Sequence, residues 1–422
     1  MDGSSAAAVT AAALTAAVRD AHHWYTAQAA RNPTYTAELA ARGLTASQAR
    51  AAGIGWAPSD GSALTDHLVR RGHRLAALRD AGLSVRRGPR HHDVFRNRVT
   101  FAYRDQTGTI TGFTARTAAD AAAKWLNTPS NTVFDKSALL YGGHAIDHHT
   151  HTVAIVEGAW DAATVTAATS GRIVGVAACG TAFTPTHAQT VASWGLPVIV
   201  ATDADPAGRT AAVRIHDTLA TAGVTNTGYL ELEDGHDPSS WHAADHDLTA
   251  ALADVTPGSL TRHVIDTHRQ RLHPHNGIPL QLAELRALAP SLTSLTTAEQ
   301  ADAITYLNAI TGLMPLTIHD TLTRHTEAQS TPERAGPPPA PKLSSRAEDD
   351  AEVEMEGLDE LAATRADLND DYIAGQITAD ELVDRSRARY RHTDDPAISG
   401  DPVRRTRSIQ SPQDDQGGAA WP

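Results

Sequence analysis

The chain has 422 residues, enough for two or three domains with a sizeable core, and a formal net charge of −13. Its single cysteine, Cys179, excludes an internal disulfide framework and a cysteine-based zinc site, and it favours a reducing, cytoplasmic compartment. The N-terminus lacks the basic region of a signal peptide, and no long apolar run follows, so we expect a soluble protein without a membrane partner.

Charge is unevenly distributed along the chain. Residues 85–141 contain nine basic and four acidic side chains, a net charge of +5, whereas residues 333–422 contain 20 acidic and 11 basic ones, a net charge of −9. Two of the three lysines, Lys124 and Lys136, fall in the basic part. A local basic surface can bind phosphate groups even when the total charge is negative, and the compact ammonium group of lysine suits a phosphate.

The first part of the chain has helical patterns. Residues 5–82 show apolar spacings of three and four, and Gly43 and Gly72 are typical C-terminal helix stops. The segment AAGIGWAP between these helices is interpreted as a turn-rich connector.

The apolar period changes to two from about residue 93. In the segment VFRNRVTFAY, the pattern places Phe95, Val99 and Phe101 on one face of a strand. Arg96 and Arg98 share the other face. The segment RDQTGT is typical of a turn, and TITGFTAR is predicted to return as a second strand.

Four regions follow from these patterns. Residues 1–150 are predicted to form a basic α+β subdomain. Strands and helices alternate in residues 151–256, which predicts an α/β fold with a mainly parallel sheet flanked by helices. Residues 257–328 are predicted to form a small helical region. Residues 329–422 contain a Pro-rich linker and an acidic tail that we expect to be disordered.

Acidic side chains follow the predicted strands of the α/β region. Glu157 follows VAIV, Asp203 and Asp205 follow VIVAT, and Asp237 follows the last strand, while Asp161 lies one helical turn after Glu157. Ligands of open α/β sheets bind beyond the carboxyl ends of the strands, and oxygen ligands suit Mg²⁺. The aspartate pair alone is as typical of a turn as of a metal site, but the order of the three acidic motifs favours the metal site.

These motifs carry a family resemblance. VAIVEGAWDA, AACGTAFT, VIVATDADPAGRTAA and LEDGHDPSS resemble, in this order, the Toprim domain of bacterial primases, topoisomerases and some nucleases. Upstream, AARGLTASQARAAGIGWAP, LRDAGL, DVFRNRVTFAYRDQTGTITGFTAR and KWLNTPSNTVFDKSALLYG resemble the core of DnaG-type primases. Over roughly residues 15–245 the chain is thus similar to the catalytic core of a DnaG-type bacterial DNA primase, without the N-terminal zinc-binding domain.

The resemblance implies a function and a set of site residues. It implies a DNA-directed RNA polymerase that makes short RNA primers on a single-stranded DNA template from ribonucleoside triphosphates, by metal-dependent nucleotidyl transfer. It implies Mg²⁺ or Mn²⁺, with Glu157, Asp203, Asp205 and Asp237 as ligands and Asp161 in a supporting catalytic role. No zinc is predicted, because the chain has a single cysteine. Contacts to template, primer or nucleotide are implied for Arg42, Arg96, Arg98, Arg116, Lys124, Asn127 and Lys136.

Two departures from the family pattern affect the predicted function. There are neither cysteines nor sufficient length before residue 15 for the zinc domain, so we expect initiation to need a separate zinc-domain protein, to be relaxed, or to be absent, leaving only extension. A replicative helicase is a further expected partner. Ser239 stands where the family often has a second acid after Asp237, so one metal ligand is expected to be missing or replaced by water.

Two alternative functions stay open. One is a Toprim nuclease or topoisomerase-like strand cutter, although the sequence offers no evident domain for the tyrosine nucleophile of a topoisomerase. The other is a catalytically weak, primase-like accessory protein of replication that binds single-stranded DNA, which the loss of an acid at Ser239 supports.

Overall fold

The computed structural model describes residues 10–117, 124–180, 182–225 and 227–330. The predicted Pro-rich linker and acidic tail therefore lie outside the described residues, apart from the last two residues of the final helix. With the exception of residues 277–279, the described residues belong to one compact unit. No helix in these ranges is long and apolar enough to cross a membrane.

Five helices build the start of the chain, as the apolar spacing predicts. Thr10, Asn32 and Thr45 each accept a main-chain N–H at the start of a helix, which satisfies one of its free donors. Gly43 (φ +65°) and Gly72 (φ +92°) follow the helices that they were predicted to end. The helices are α1 (Ala11–Ala29), α2 (Pro33–Ala40), α3 (Ala46–Ala51), α4 (Ala63–Arg70) and α5 (Leu75–Asp80).

The segment interpreted as a connector contains a strand, so that interpretation is wrong. Residues Ile54–Ala57 form β1, which pairs antiparallel with a later strand through Ile54 and Phe101. All four of its residues are buried. Because its partner lies more than 40 residues away, the local pattern of glycine and proline hides this strand.

An antiparallel sheet and a separate hairpin complete the N-terminal region. The hairpin consists of β2 (Ser84–Arg87) and β3 (Arg90–Asp93), which sequence patterns did not predict because neither strand alternates between apolar and polar residues. The sheet has the order β1-β4-β5-β6. Its later strands are β4 (Arg98–Arg104), β5 (Ile110–Thr117) and β6 (Trp125–Asn127).

The predicted alternation across β4 is only partly correct. The strand begins at Arg98, because Asn97 adopts a left-handed backbone conformation (φ +50°) that interrupts the extended chain. Phe95 therefore packs in a different hydrophobic cluster from Val99 and Phe101. The five central residues of β4 are buried on both faces.

A four-stranded parallel sheet follows, as predicted. Its order is β10-β9-β7-β8, with every pair parallel. Alternate residues face opposite sides: Val153 and Ile155 pack with α7 and α8, whereas Ala154 and Val156 pack with α6. The elements are β7 (Thr152–Val156), α6 (Ala159–Ala168), β8 (Ile173–Ala177), α7 (Pro185–Trp194), β9 (Val198–Ala201), α8 (Pro206–Thr221) and β10 (Thr227–Tyr229).

After β10, the rest of the described chain contains helices and no strand. Two short helices follow the parallel sheet, and five more occupy the predicted helical region, where leucine and isoleucine side chains form a hydrophobic cluster of their own. The helices are α9 (Pro238–Ala243), α10 (Leu248–Ala253), α11 (Ser259–Thr267), α12 (Arg269–Leu272), α13 (Ile278–Thr293), α14 (Thr297–Thr311) and α15 (Pro315–Ser330).

An aromatic junction joins the two sheets. The ring of Phe101, on β4, meets the ring of Trp160, on α6, edge to face at 4.8 Å, and meets Tyr141 at 5.9 Å. Tyr141 pairs through its main chain with Ala177 at the end of β8. The antiparallel and parallel sheets therefore share a hydrophobic core.

Candidate metal and nucleic-acid site

The carboxyl edge of the parallel sheet brings two acidic motifs together. β7 and β9 are neighbours, with Val156 opposite Ala201, so the residues that follow them meet at the same edge. Glu157 comes directly after β7, and its Oε1 accepts a hydrogen bond at 3.2 Å from the main-chain N–H of Asp203. This contact fixes one carboxylate oxygen and leaves the other available to a ligand.

The next two carboxylates both begin helices. Asp205 is the N-cap of α8, and its Oδ1 accepts the N–H of Gly208 at 2.7 Å. Asp237 is the N-cap of α9, and its Oδ1 accepts the N–H of Ser240 at 2.6 Å. In each case the cap orients the side chain and leaves a second oxygen available.

Gly208 allows the chain to fold tightly around Asp203. A Cβ atom at Gly208 would lie 2.1 Å from the main-chain oxygen of Asp203, which is far closer than atoms in contact can approach. The close approach of α8 to this loop therefore requires glycine. The DADPAG motif thus has a structural reason for its last residue.

Burial and mutual repulsion raise the pKa values of Glu157 and Asp203. Burial has the largest effect on Asp203, and the charge of Glu157 adds to it, together raising the pKa of Asp203 to about 7. Burial also raises the pKa of Glu157, although the N–H of Asp203 opposes that shift. The other negative charges that act on Asp203 are those of Asp161, Asp237 and Asp205. Such a cluster of like charges is stabilised by a cation.

Asp161 lies behind the other acids. Its side chain is 6% exposed, and burial together with the charge of Asp237 raises its pKa to about 6. The main-chain N–H of Ser239 donates to Asp161 Oδ1 at 3.3 Å, and the Ser239 hydroxyl lies 3.2 Å from that of Thr164. Sequence reasoning treated Ser239 as the place of a lost ligand, and it missed this contact with Asp161.

The donor set fits a divalent cation. All of the candidate ligands are carboxylate oxygens, which hard cations such as Mg²⁺ prefer. Within the described part of the chain, no three histidine, cysteine, aspartate or glutamate side chains form a closed set of ligands around one position. This arrangement suits an ion that takes one or two carboxylates and completes its shell with water and substrate phosphates.

Basic side chains line the start of β4 and β6. Arg98 Nη1 donates to the main-chain oxygen of Lys124 at 3.0 Å, which ties the two strand starts together. Arg96 Nη1 donates to the main-chain oxygen of Asp93. Burial, followed by the charge of Arg96, lowers the pKa of Arg98, as expected where two guanidinium groups lie close together.

Trp125 connects the basic strands with the acidic site. Its ring lies 5.6 Å from the guanidinium carbon of Arg116 and 5.8 Å from the ring of Phe101. The same ring lies 4.0 Å from the position of a Cβ atom on Gly158, the residue after Glu157. On the same strand, Asn127 Oδ1 is buried without a hydrogen-bond partner among the described residues.

Of the remaining two predicted contacts, Arg42 lies near Asp237 and Asp161, and Lys136 lies beside Gly180. Arg42 donates to Glu38 at 2.9 Å, and its guanidinium carbon lies 4.6 Å from the centre of the Trp160 ring. Burial lowers the pKa of Arg42, and the negative charges of Asp237 and Asp161 oppose that shift. The Nζ atom of Lys136 lies 3.9 Å from the position of a Cβ atom on Gly180, three residues beyond β8. Its ammonium group therefore reaches the carboxyl edge of the sheet, and burial lowers its pKa.

Family models match both parts of this arrangement. The model of the DNA primase catalytic core, N-terminal domain, matches residues 23–147, and the Toprim-like model matches residues 154–242. A third model, antitoxin VbhA, matches residues 351–389, which lie outside the described residues.

Individual primases are similar in sequence and in structure. The DNA primase of Neisseria meningitidis serogroup A is 34% identical over 223 residues, which are 52% of this chain and 37% of that protein. The chain thus spans little more than a third of this curated relative. A DNA primase domain from Pseudomonas aeruginosa superposes with a TM-score of 0.60 at 28% identity, covering 74% of this chain and 99% of that one.

A third similar structure is that of a DnaG primase catalytic domain bound to single-stranded DNA. It has a TM-score of 0.61 and 26% identity, and the match covers 72% of this chain and 96% of that one. The two family models match this chain one after the other, the primase catalytic-core domain before the Toprim-like domain. The chain therefore carries a DnaG-type primase catalytic core, an N-terminal catalytic-core domain followed by a Toprim-like domain.

Proposed function

We propose that the protein is a DNA primase, which polymerises ribonucleoside triphosphates into short RNA primers on a single-stranded DNA template. The observation that carries this proposal is the meeting of Glu157, Asp203, Asp205 and Asp237 at one edge of the sheet. A DnaG primase catalytic domain similar to this chain was solved with single-stranded DNA, which supports a DNA template for this protein.

The proposed reaction joins a 3′-hydroxyl oxygen to the α-phosphorus of a nucleotide. The new P–O bond forms as the bond to the β-phosphate oxygen breaks, and pyrophosphate leaves with its electron pair. A bound divalent cation, Mg²⁺ or Mn²⁺, lowers the pKa of the hydroxyl and neutralises the charge that develops. Glu157, Asp203, Asp205 and Asp237 would supply the ligands, one or two carboxylates to an ion, with water and substrate phosphates completing its shell. Buried Asp161 would support them through its negative charge on the site.

Basic residues position the nucleic acid and the triphosphate in this proposal. Lys136 reaches the sheet edge, where its ammonium group meets a phosphate. Arg42 lies near Asp237 and moderates the negative charge there. The template or primer is held by the residues of the antiparallel sheet, namely Arg96, Arg98, Arg116, Lys124 and Asn127.

The partners in initiation are part of the same proposal. A separate zinc-domain protein would select the start site, and a replicative helicase would deliver the single strand. The protein acts in the cytoplasm, which agrees with a single buried cysteine that needs no disulfide partner.

One assay tests the proposal. Purified full-length protein receives single-stranded DNA, labelled ribonucleotides and Mg²⁺ or Mn²⁺, with and without an annealed primer. We expect short RNA from the wild type, none from Glu157→Ala or Asp203→Ala, and wild-type synthesis from Asp254→Ala, which alters an acid outside the site. Cleaved DNA without RNA favours a nuclease, and DNA binding without RNA favours an accessory protein.

The match of residues 351–389 to the antitoxin VbhA model favours a second function. This segment would bind and neutralise a toxin, independently of the primase core. Full-length protein is co-expressed in bacteria with the toxin partner of a VbhA antitoxin, and a chain with residues 351–389 replaced by a Gly-Ser linker of equal length is the control. We expect growth with the first chain and arrest with the second, and equal growth contradicts the proposal.

A further inference from the structure

The hairpin formed by β2 and β3 carries exposed positive charge outside the catalytic site. Residues 85–90 are all exposed and include Arg86, Arg87 and Arg90. Arg86 Nε donates to the main-chain oxygen of Gly88 at 3.1 Å. Among the described residues, no carboxylate forms an ion pair with any of these arginines. Three guanidinium groups are therefore available to an external anion.

The pairing of the hairpin places two of these charges opposite each other. Arg87 and Arg90 are direct cross-strand partners on either side of the turn Gly88-Pro89, which Gly88 permits with φ +61°. Side chains of such partners project to the same face, and like charges at these positions destabilise a hairpin. A phosphate group between the two guanidinium groups removes that repulsion, so the arrangement favours an anionic ligand.

The base of the hairpin is firmly attached to the rest of the protein. The Asp93 carboxylate accepts the N–H groups of Leu64 and Thr65, each at 2.8 Å, at the start of α4. The Thr65 hydroxyl lies 3.1 Å from that of Ser84 on the other strand. A rigidly held hairpin loses little conformational entropy when its side chains bind a ligand.

The hairpin is continuous with the basic strand starts of the antiparallel sheet. Arg96 donates to the main-chain oxygen of Asp93, the last residue of β3, and Arg98 follows two residues later. Arg90 is three residues before Asp93, a distance of roughly 10 Å along an extended strand. The exposed arginines thus extend the basic surface beyond the residues assigned to the catalytic site.

We propose that Arg86, Arg87 and Arg90 bind the phosphate backbone of the single-stranded template outside the catalytic site. This inference rests on the proposed primase function, which supplies the template. Guanidinium groups suit phosphates because they can donate two parallel hydrogen bonds. Phosphate contacts carry no sequence information, so the contact is independent of base sequence.

Salt-dependent binding tests this proposal. Binding of a labelled single strand of about 20 nucleotides, longer than one typical site, is measured by fluorescence anisotropy over a range of salt concentrations. For Arg86→Gln/Arg87→Gln/Arg90→Gln, we expect the slope of log affinity against log salt to fall in magnitude by about 2. Each lost phosphate contact makes the slope shallower by about 0.7. The matched control is Arg31→Gln/Arg172→Gln/Arg214→Gln, three exposed arginines elsewhere, which keeps the wild-type slope.

Two further measurements make the outcome decisive. Arg86→Lys/Arg87→Lys/Arg90→Lys retains the charges and is expected to keep most of the slope, which separates lost charge from a damaged hairpin. The proposal is overturned if the slope of the glutamine variant is unchanged, or if the slope of the control variant falls equally. The same assay with duplex DNA gives a further check, because a fall seen only with duplex DNA also overturns the proposal. RNA synthesis is scored separately: its absence from the wild type contradicts the proposed function, whereas the binding slope alone decides the role of the hairpin.

Discussion

The main-chain N–H of Asp203 donates to Oε1 of Glu157 across 3.2 Å, and so ties the loop after β9 to the residue that follows β7. The hydrogen bond needs an acceptor but not a negative charge. Glutamine at position 157 can therefore keep the loop in place while it removes the charge. Several acids of the site likewise accept a main-chain hydrogen bond that holds them in place, so an amide replacement can keep the hydrogen bond and remove the charge.

Asp203 is expected to make the metal-free protein less stable as the pH rises. Its pKa is raised from 3.8 to about 7 in the folded state, so the folded protein binds this proton more tightly than the unfolded chain. The resulting stability is complete below about pH 4 and is lost as the pH rises through about 7.

Asp203→Asn removes this dependence, so it should raise Tm in a chelating buffer at about pH 8 and leave Tm nearly unchanged at about pH 4. Asp234→Asn, which alters an exposed acid paired with Arg209, is the control for a general effect of charge. If Asp203→Asn raises Tm as much at about pH 4 as at about pH 8, the raised pKa of Asp203 is not the cause of the effect.

Asp205 and Asp237 should respond differently to asparagine and to alanine. Asparagine retains the N-cap acceptor, whereas alanine removes it and costs about 1 kcal/mol of unfolding free energy. Neither replacement carries a charge, so we expect both to abolish RNA synthesis. Urea denaturation and primer synthesis, measured on the same four variants, check this expectation. Wild-type synthesis by an asparagine variant would show that its carboxylate is not needed for metal binding.

Restoring an acid at position 239 should damage the protein. Ser239 is buried against Asp161 and Thr164, so Ser239→Asp places a second carboxylate beside one that is already difficult to ionise. We expect a loss of about 2–4 kcal/mol of unfolding free energy without any gain in RNA synthesis. Ser239→Ala is the control, with a loss of about 1 kcal/mol. Higher activity in Ser239→Asp would instead identify position 239 as a missing ligand.

Lys136 should affect nucleotide binding more than the chemical step. Its ammonium group lies at the sheet edge beside Gly180, where a triphosphate would bind in the proposed reaction. For Lys136→Ala we expect KM for ribonucleotides to rise about tenfold, the equivalent of 1.4 kcal/mol, with a smaller change in kcat. Lys136→Arg should recover part of the loss. A fall in kcat at unchanged KM would place Lys136 in transition-state stabilisation instead.

Gly208→Ala should abolish activity through the position of Asp203. The added methyl group would lie 2.1 Å from the Asp203 main-chain oxygen, so the loop or the helix start has to move. A displacement of about 1 Å is enough to lower the rate roughly 100-fold. Primer synthesis measures the loss, and circular dichroism checks that the helices persist. Ala212→Gly, one turn further along α8, is the control and should retain most of the activity.

Local patterns predicted which sheet edge the acids share. The apolar run before Asp203 can only be a strand in this alternating context, and neighbouring parallel strands must deliver their following residues to the same edge. The helix start after Asp205 has a sequence signal in Pro206, because proline is favoured at the first helical position. Proximity of the acids therefore follows from the order of elements, whereas the roles of the individual carboxylates stay predictions.

Elements that depend on distant partners were missed. Ile54–Ala57 is a strand because β4 lies beside it, and Gly53, Gly55 and Pro58 conceal that in the sequence. The hairpin strands contain arginine and histidine rather than alternating apolar residues, so no periodic signal exists. The contact of Ser239 with Asp161 joins positions 78 residues apart, and only the tertiary structure reveals it.

The aromatic junction has a consequence for how the core loses its structure. Phe101 lies on β4 of the antiparallel sheet and contacts Trp160 of α6, the helix that packs on the parallel sheet. Asp161 is the next residue of that helix. Opening either sheet exposes large rings that belong to both, so neither sheet can unfold without a penalty at its neighbour. We therefore regard the two sheets as a single cooperative unit, in which loosening of the basic sheet also loosens the carboxylates.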